Sequence, residues 1–179
     1  MVAAVQKNPS HLHYFATFLW EYTIISSDLC PTTGKNRHGI PNMNLTRLVY
    51  YSQRNPSLSL KMPELMETCH RNNSAMNVTG ILHYNGNAFL QVLEGGRAEV
   101  SSIYHRIAAD PRHINIILIH CSDVRERMFP TWSMGLHEGM DEKTKNIFLR
   151  YFASNIVNPE TVSQESLLDV LQDLSAELG

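Results

Sequence analysis

The chain has 179 residues, enough for one well-buried core with a small appendage. Its 43% hydrophobic and 18% charged residues are ordinary globular values, and a formal net charge of −2 excludes the basic footprint of a nucleic-acid or anionic-membrane binder. Three widely spaced cysteines, Cys30, Cys69 and Cys121, argue against a disulfide framework and predict a reducing, cytoplasmic setting. The longest apolar run, YFATFLWEYTII at 14–25, contains Glu21 and falls short of the ~20 residues of a membrane span. It also lacks the basic flank of a signal peptide.

Residues 1–42 combine this apolar patch with the turn-rich stretch SSDLCPTTGKNRHGIPN and show no periodicity. They read as a loosely attached extension. The pattern sharpens at Met43. LTRLVYYS at 45–52 predicts a strand, and LKMPELMETCHRNN at 60–73 a helix with Pro63 in its first turn. Leu65, Met66, Cys69, Asn72 and Asn73 share one face of that helix, a stripe that begins apolar and ends in two amides. VTGILHYNGNAFLQVLE at 78–94 predicts a hairpin turning at Asn85-Gly86. Counted outward from a two-residue loop, that turn sets Gln91 opposite Gly80, with space beside the amide. RAEVSSIYHRIAAD at 97–110 predicts a second helix with Val100, Ile103, Tyr104, Ile107 and Ala108 as its apolar stripe. Strands at 114–124 and 132–138 follow, then amphipathic helices at roughly 141–153 and 164–177.

This order predicts an α+β fold: a ferredoxin-like βαββαββ sheet with two helices on one face, followed by two C-terminal helices. In that plan the first and third strands are adjacent at the centre of the sheet. Tyr50 and Gln91 then point under the helices, near Asn72 and Asn73. A buried primary amide left without partners costs on the order of 1–3 kcal/mol. A phenol and three amides in an apolar cleft suit a flat heterocycle with carbonyl and ring-nitrogen edges. Taken singly, each has an ordinary reading: a structural amide, a core tyrosine, a helix-terminal asparagine.

LTRLVYYSQ, RNNSAMNVTGILHYNGNAFLQVLEG, YHRIAADPRH and FPTWSMG, in that order, resemble the BLUF domain, the flavin-binding blue-light sensor fold, from Leu45 to about Glu138. The trailing helices make the chain similar to the short, PixD-type members. The resemblance implies non-covalently bound FAD, with FMN as the other flavin. It assigns cofactor contacts to Tyr50, Asn72, Asn73, Gln91, Arg106, Asp110 and His113. It implies that Tyr50 gives an electron and a proton to the excited flavin, and that Gln91 bridges tyrosine and flavin and rearranges its hydrogen bonds in light. Trp132 and Met134, read on the last strand, match the pair that relays the signal. Residues 43–139 are then the photosensor and 140–179 a helical extension for output or oligomerisation. The resemblance implies no enzymatic activity, a downstream signalling partner of response-regulator-like kind, and a homo-oligomer.

The alternative reading is a ferredoxin-like RNA-binding module without cofactor, stacking bases on an open sheet face where Tyr51 points. Its positive charge and aromatic motif are missing. His70, His83, His105, His113, His120 and His137 show no metal-ligand spacing such as HxxxH, so no metal site is expected.

Overall fold

Residues 44–178 are described by a computed structural model. The extension read at 1–42, with Cys30, lies outside the described residues. The chain runs β1 (Leu45–Arg54), α1 (Met62–Ala75), β2 (Thr79–Tyr84), β3 (Ala88–Gly96), α2 (Arg97–Ala108), β4 (His113–Val124), β5 (Gly135–Glu138), α3 (Glu142–Tyr151) and α4 (Gln164–Ala176). The strands form one sheet in the order β4-β1-β3-β2-β5. All neighbours are antiparallel except β2 and β5. The ferredoxin-like plan is present, with β5 added at the β2 edge.

Period-two alternation divides the sheet's side chains between two cores. Leu48, Tyr50, Leu82, Tyr84, Phe89 and Leu93 face α1 and α2, which contribute Met62, Leu65, Met66, Val100 and Ile103. Val49, Ile81, Leu90 and Val92 face the other way and are covered by α3 and α4. The leucine stripe of α4 is that cover: Leu167, Leu168, Leu171 and Leu174 are all buried. Each such side chain contributes about 1.5–3 kcal/mol of transfer free energy. Asp141 caps α3 by accepting from the Thr144 N–H at 2.8 Å, and Ser163 caps α4 by accepting from the Ser166 N–H at 3.1 Å. In α2, Ala108 is exposed, so the apolar stripe ends one residue earlier than the periodicity predicts. With α3 and α4 on the far face, the surface that a base-stacking module keeps open is covered, which removes the structural basis of the RNA-binding alternative.

Two expectations are corrected. The hairpin pairs Tyr84 with Phe89 and Leu82 with Gln91, and Gly80 faces Leu93. The central turn residues are Gly86 and Asn87, with Gly86 at φ 95°. The Asn85 side chain accepts from the N–H groups of Asn87 and Ala88, so Asn85 acts as the turn's cap, the turn moves one residue along the chain and every cross-strand partner shifts by two. The last strand begins at Gly135, and Trp132 and Met134 precede it. Residues 132 and 133 spend their backbone carbonyls elsewhere: Trp132 accepts from the Gly80 N–H at 3.2 Å and Ser133 from the Asn73 side chain at 2.8 Å.

Glycine at position 80 serves close backbone approach. A Cβ there would lie 1.9 Å from the Val92 carbonyl oxygen, and the peptide cannot move aside without disturbing the β2–β3 ladder. Gly80→Ala should therefore destabilise the fold by at least about 2 kcal/mol, read as a lowered urea midpoint at unchanged m-value. A midpoint equal to that of the unchanged protein would show that the sheet relaxes at no cost.

Candidate functional site

The cleft between α1, α2 and the near face of the sheet is lined by Tyr50, Asn72, Asn73, Gln91, Arg106, Asp110 and His113, the seven contacts singled out in the sequence. It encloses about 640 Å³ with its open mouth included. Apolar walls come from Leu65, Leu82, Ile103 and Ile107. Thr68, Cys69 and Arg112 also line it, and the sequence reading passed over them. Cys69 was visible in the α1 stripe and Arg112 within DPRH, but neither was assigned a contact.

Tyr50 and Gln91 are direct cross-strand partners on β1 and β3, so their side chains leave the sheet side by side. The Tyr50 hydroxyl donates to Gln91 Oε1 at 2.5 Å. The other end of the amide, Nε2, donates to the Met134 Sδ at 3.1 Å. Both residues are buried. Burial, with Cys69, Tyr104 and Asp110 nearby, raises the Tyr50 pKa well above the usual phenol value, so the ring keeps its proton. The β1–β4 register slips between Val49 and Tyr50 and again between Tyr51 and Gln53, where Asn115 takes a φ of 50°. Bulges of this kind re-aim the side chains beside them.

Asn73 is buried in the last turn of α1 and is tied through its amide nitrogen to Ser133. Asn72, one residue earlier and half-buried, has no side-chain hydrogen bond among the described residues. His70 meets the Ser133 hydroxyl at 2.8 Å, so residues 132–134 are held by α1 and β3 together. At the other end of the cleft, Asp110 accepts from both Nε and Nη2 of the Arg112 guanidinium, which with burial working against it lowers the Asp110 pKa. His113 meets the Ser52 hydroxyl at 2.7 Å and lies against Phe89 and Tyr50. Burial lowers its pKa to about 4, leaving it neutral at pH 7. Arg106 is exposed at the mouth and has no acidic partner among the described residues.

Trp132 and Met134 go to opposite sides. Met134 is fully buried in the near core, and Trp132 packs against the far one and over Gly135. A regular strand would put residues two apart on one face. Because this segment crosses between the layers before β5 begins, it touches both.

Comparison with known proteins agrees with this arrangement. The chain is 39% identical over 95 residues to the blue light- and temperature-regulated antirepressor BluF of Escherichia coli, matching 52% of this chain and 24% of that protein. It is 39% identical over 93 residues to the photoactivated adenylate cyclase subunit beta of Euglena gracilis, matching 50% of this chain and 11% of that protein. The matches thus span about a tenth to a quarter of these curated relatives. Among solved structures, BlsA in its photo-activated state superposes with a TM-score of 0.65 at 30% identity, covering 73% of this chain and 94% of that one. The dark-state structure of BlrB, a BLUF protein, gives 0.58 at 26% identity over 75% and 96%. Residues 45–135 match the profile of the family described as BLUF, sensors of blue-light using FAD. The chain belongs to the BLUF family of flavin-binding blue-light sensors.

Proposed function

We propose that the cleft holds the flavin through Tyr50, Asn72, Asn73, Gln91, Arg106, Asp110 and His113, that Tyr50 is the photochemical donor and Gln91 the switch, and that residues 132–134 carry the change away. The observation that carries this reading is the unbroken chain from the Tyr50 hydroxyl through both ends of the Gln91 amide to Met134. The donor set fits the cofactor. Asn72 offers both donor and acceptor, the apolar walls suit a flat ring, and the exposed Arg106 guanidinium at the mouth suits an anionic tail. When bound, the flavin supplies blue-light absorption and a one-electron acceptor.

The residues' own part follows from their chemistry. Tyr50 loses an electron, and its hydroxyl, now strongly acidic, already rests against the Gln91 carbonyl at 2.5 Å. The amide oxygen only accepts and the amide NH₂ only donates. Rotation of the amide, or its change of tautomer, therefore exchanges what it presents to each neighbour. Met134 feels this directly, because a thioether sulfur accepts but has no proton to give. If the amide turns its oxygen toward Met134, that hydrogen bond is lost and two acceptors face each other. Neutral hydrogen bonds are worth roughly 0.5–1.5 kcal/mol each, a scale that favours reversible switching.

Residues 43–139 are on this reading the sensor, and 140–179 the output element that addresses a response-regulator-like signalling protein or a second copy of the chain. The chain itself acts as a sensor without an enzymatic step, and it works in the cytoplasm. No helix among the described residues is long and apolar enough to cross a membrane.

Heat-denatured protein should release intact FAD or FMN into the supernatant, identified by chromatography, and the native protein should show a reversible red shift after blue light. A preparation that stays colourless after refolding with FAD would overturn the flavin site. Tyr50→Phe should keep the flavin and lose the red-shifted product, since ring packing survives without the phenol. A product of normal size in that variant would remove Tyr50 from its role. Gln91→Leu should likewise keep the flavin but lose the long-lived shift. Difference spectra showing a persistent shift would make the amide scaffolding only.

A further inference from the structure

On the far side of the sheet from the cleft, two histidines meet. His83 and His137 are register partners on the parallel strands β2 and β5. Their Nδ1 atoms lie 3.1 Å apart, and His83 is buried. One hydrogen bond between two imidazole nitrogens uses one proton. His83 Nε2 is buried and has no hydrogen-bond partner among the described residues, whereas His137 Nε2 lies 3.4 Å from the Thr144 hydroxyl on α3. The arrangement that strands no N–H has His83 Nδ1–H donating to His137 Nδ1, and His137 Nε2–H donating to Thr144. Thr144 is buried, and Phe148, one turn further along α3, packs on the His83 ring at 5.3 Å between centroids. The pair is therefore part of the seat of α3.

We propose that the His83–His137 pair is a proton-operated latch, which holds α3 on the β2–β5 edge while it carries two protons and releases it when it takes a third. A third proton has two places to go. On His83 Nε2 it creates a buried N–H without an acceptor, the charge resting on His83 or, once the shared proton shifts, on His137. On His137 Nδ1 it sets two N–H groups face to face at 3.1 Å, and the bond is lost. Neither is compatible with the closed arrangement, so the proton is taken up on opening.

The surrounding groups set where it enters. Burial lowers the His137 pKa, with Asp141 at the α3 N-terminus and Glu177 at the end of α4 working against it. Lys143 on α3 is ion-paired with Glu177, and Glu138 beside His137 is exposed. β1 brings Tyr51, and β3 brings Ala88 and Leu90, to the space beside His83, and none of them is charged. Burial and the neighbouring His137 lower the His83 pKa from 6.5 to about 4. A histidine whose folded pKa is depressed costs the closed state its stability as pH falls from the open-state value toward the folded one. For this shift, opening becomes roughly 20-fold more favourable at pH 5 than at pH 7.

The test is hydrogen–deuterium exchange of the full chain in the dark, corrected for the intrinsic pH dependence of exchange. Protection of α3 (Glu142–Tyr151) should fall roughly 20-fold from pH 7 to pH 5 while staying below that of β3 (Ala88–Gly96), which opens only with the whole fold. His83→Phe should remove the pH dependence at α3. Protection of α3 that does not vary with pH, protection of α3 equal to that of β3 at both pH values, or a pH dependence retained in His83→Phe would each overturn the latch. Should that variant not fold, nitrogen NMR of the unchanged protein decides: His83 protonated on Nδ1 and His137 on Nε2 at pH 7 supports it, and the opposite tautomers overturn it. No readout uses flavin or light, so the latch and the sensor reading fail separately.

Discussion

Much of the architecture hangs on a carboxylate that no water reaches. Glu94 on β3 is fully buried on the far face, where its register partner Arg47 donates to it at 2.6 Å. The remaining capacity of the carboxylate is taken by the N–H groups of Met128 at 3.0 Å and Phe129 at 2.9 Å. Arg127, the residue before, bonds to the Glu94 and Asn77 carbonyls and to the Thr79 hydroxyl. One acid thus pins β1, β3 and the long connection from β4 to β5. A buried ion pair is weak evidence of net stability, yet removing one partner alone typically costs ~3–5 kcal/mol. Its consequence here is positional: once residues 127–129 are fixed, the chain reaches 132–134 at the one edge where it can contact both Gln91 and the far core.

The sheet acts as a partition. Photochemistry is assigned to one side, and the helices assigned to output lie on the other. Each strand keeps its neighbouring side chains on opposite faces, so a displacement on one side does not pass through the sheet by contact. Residues 132–134 escape that rule because they are not yet strand. Met134 takes its bond from Gln91, Trp132 packs against the far core, and β5 continues from them to His137 under α3. Light and protons would on these readings act on two ends of the same short segment.

How far the sequence could be read followed from how local each signal is. Alternation and helical spacing put Tyr50, Gln91, Asn72 and Asn73 around one cleft, because faces follow from period alone. The hairpin was misregistered because the Asn85-Gly86 signal was given both central positions, whereas the Asn85 side chain captured two backbone donors and moved the turn along. Residues 132–134 read as strand because tryptophan and methionine sit well in sheets, and nothing local marks carbonyls recruited by Gly80 and Asn73. The His83–His137 pair spans 54 residues with no ligand-type spacing, so only the β2–β5 register brings it together. The Glu94 network was hidden for the same reason.

The far core also has a colloidal side. Val49, Ile81, Leu90 and Val92 are fully or almost fully shielded, and the shield is α3 and α4 rather than anything near the cleft. Lifting those helices, even briefly, uncovers a contiguous apolar sheet surface of the kind that soluble monomers rarely present. Such a surface is sticky in proportion to its exposure, so the lifetime of any open state sets how long the molecule can recruit another apolar face. The helices thus keep an adhesive sheet face out of contact with other molecules.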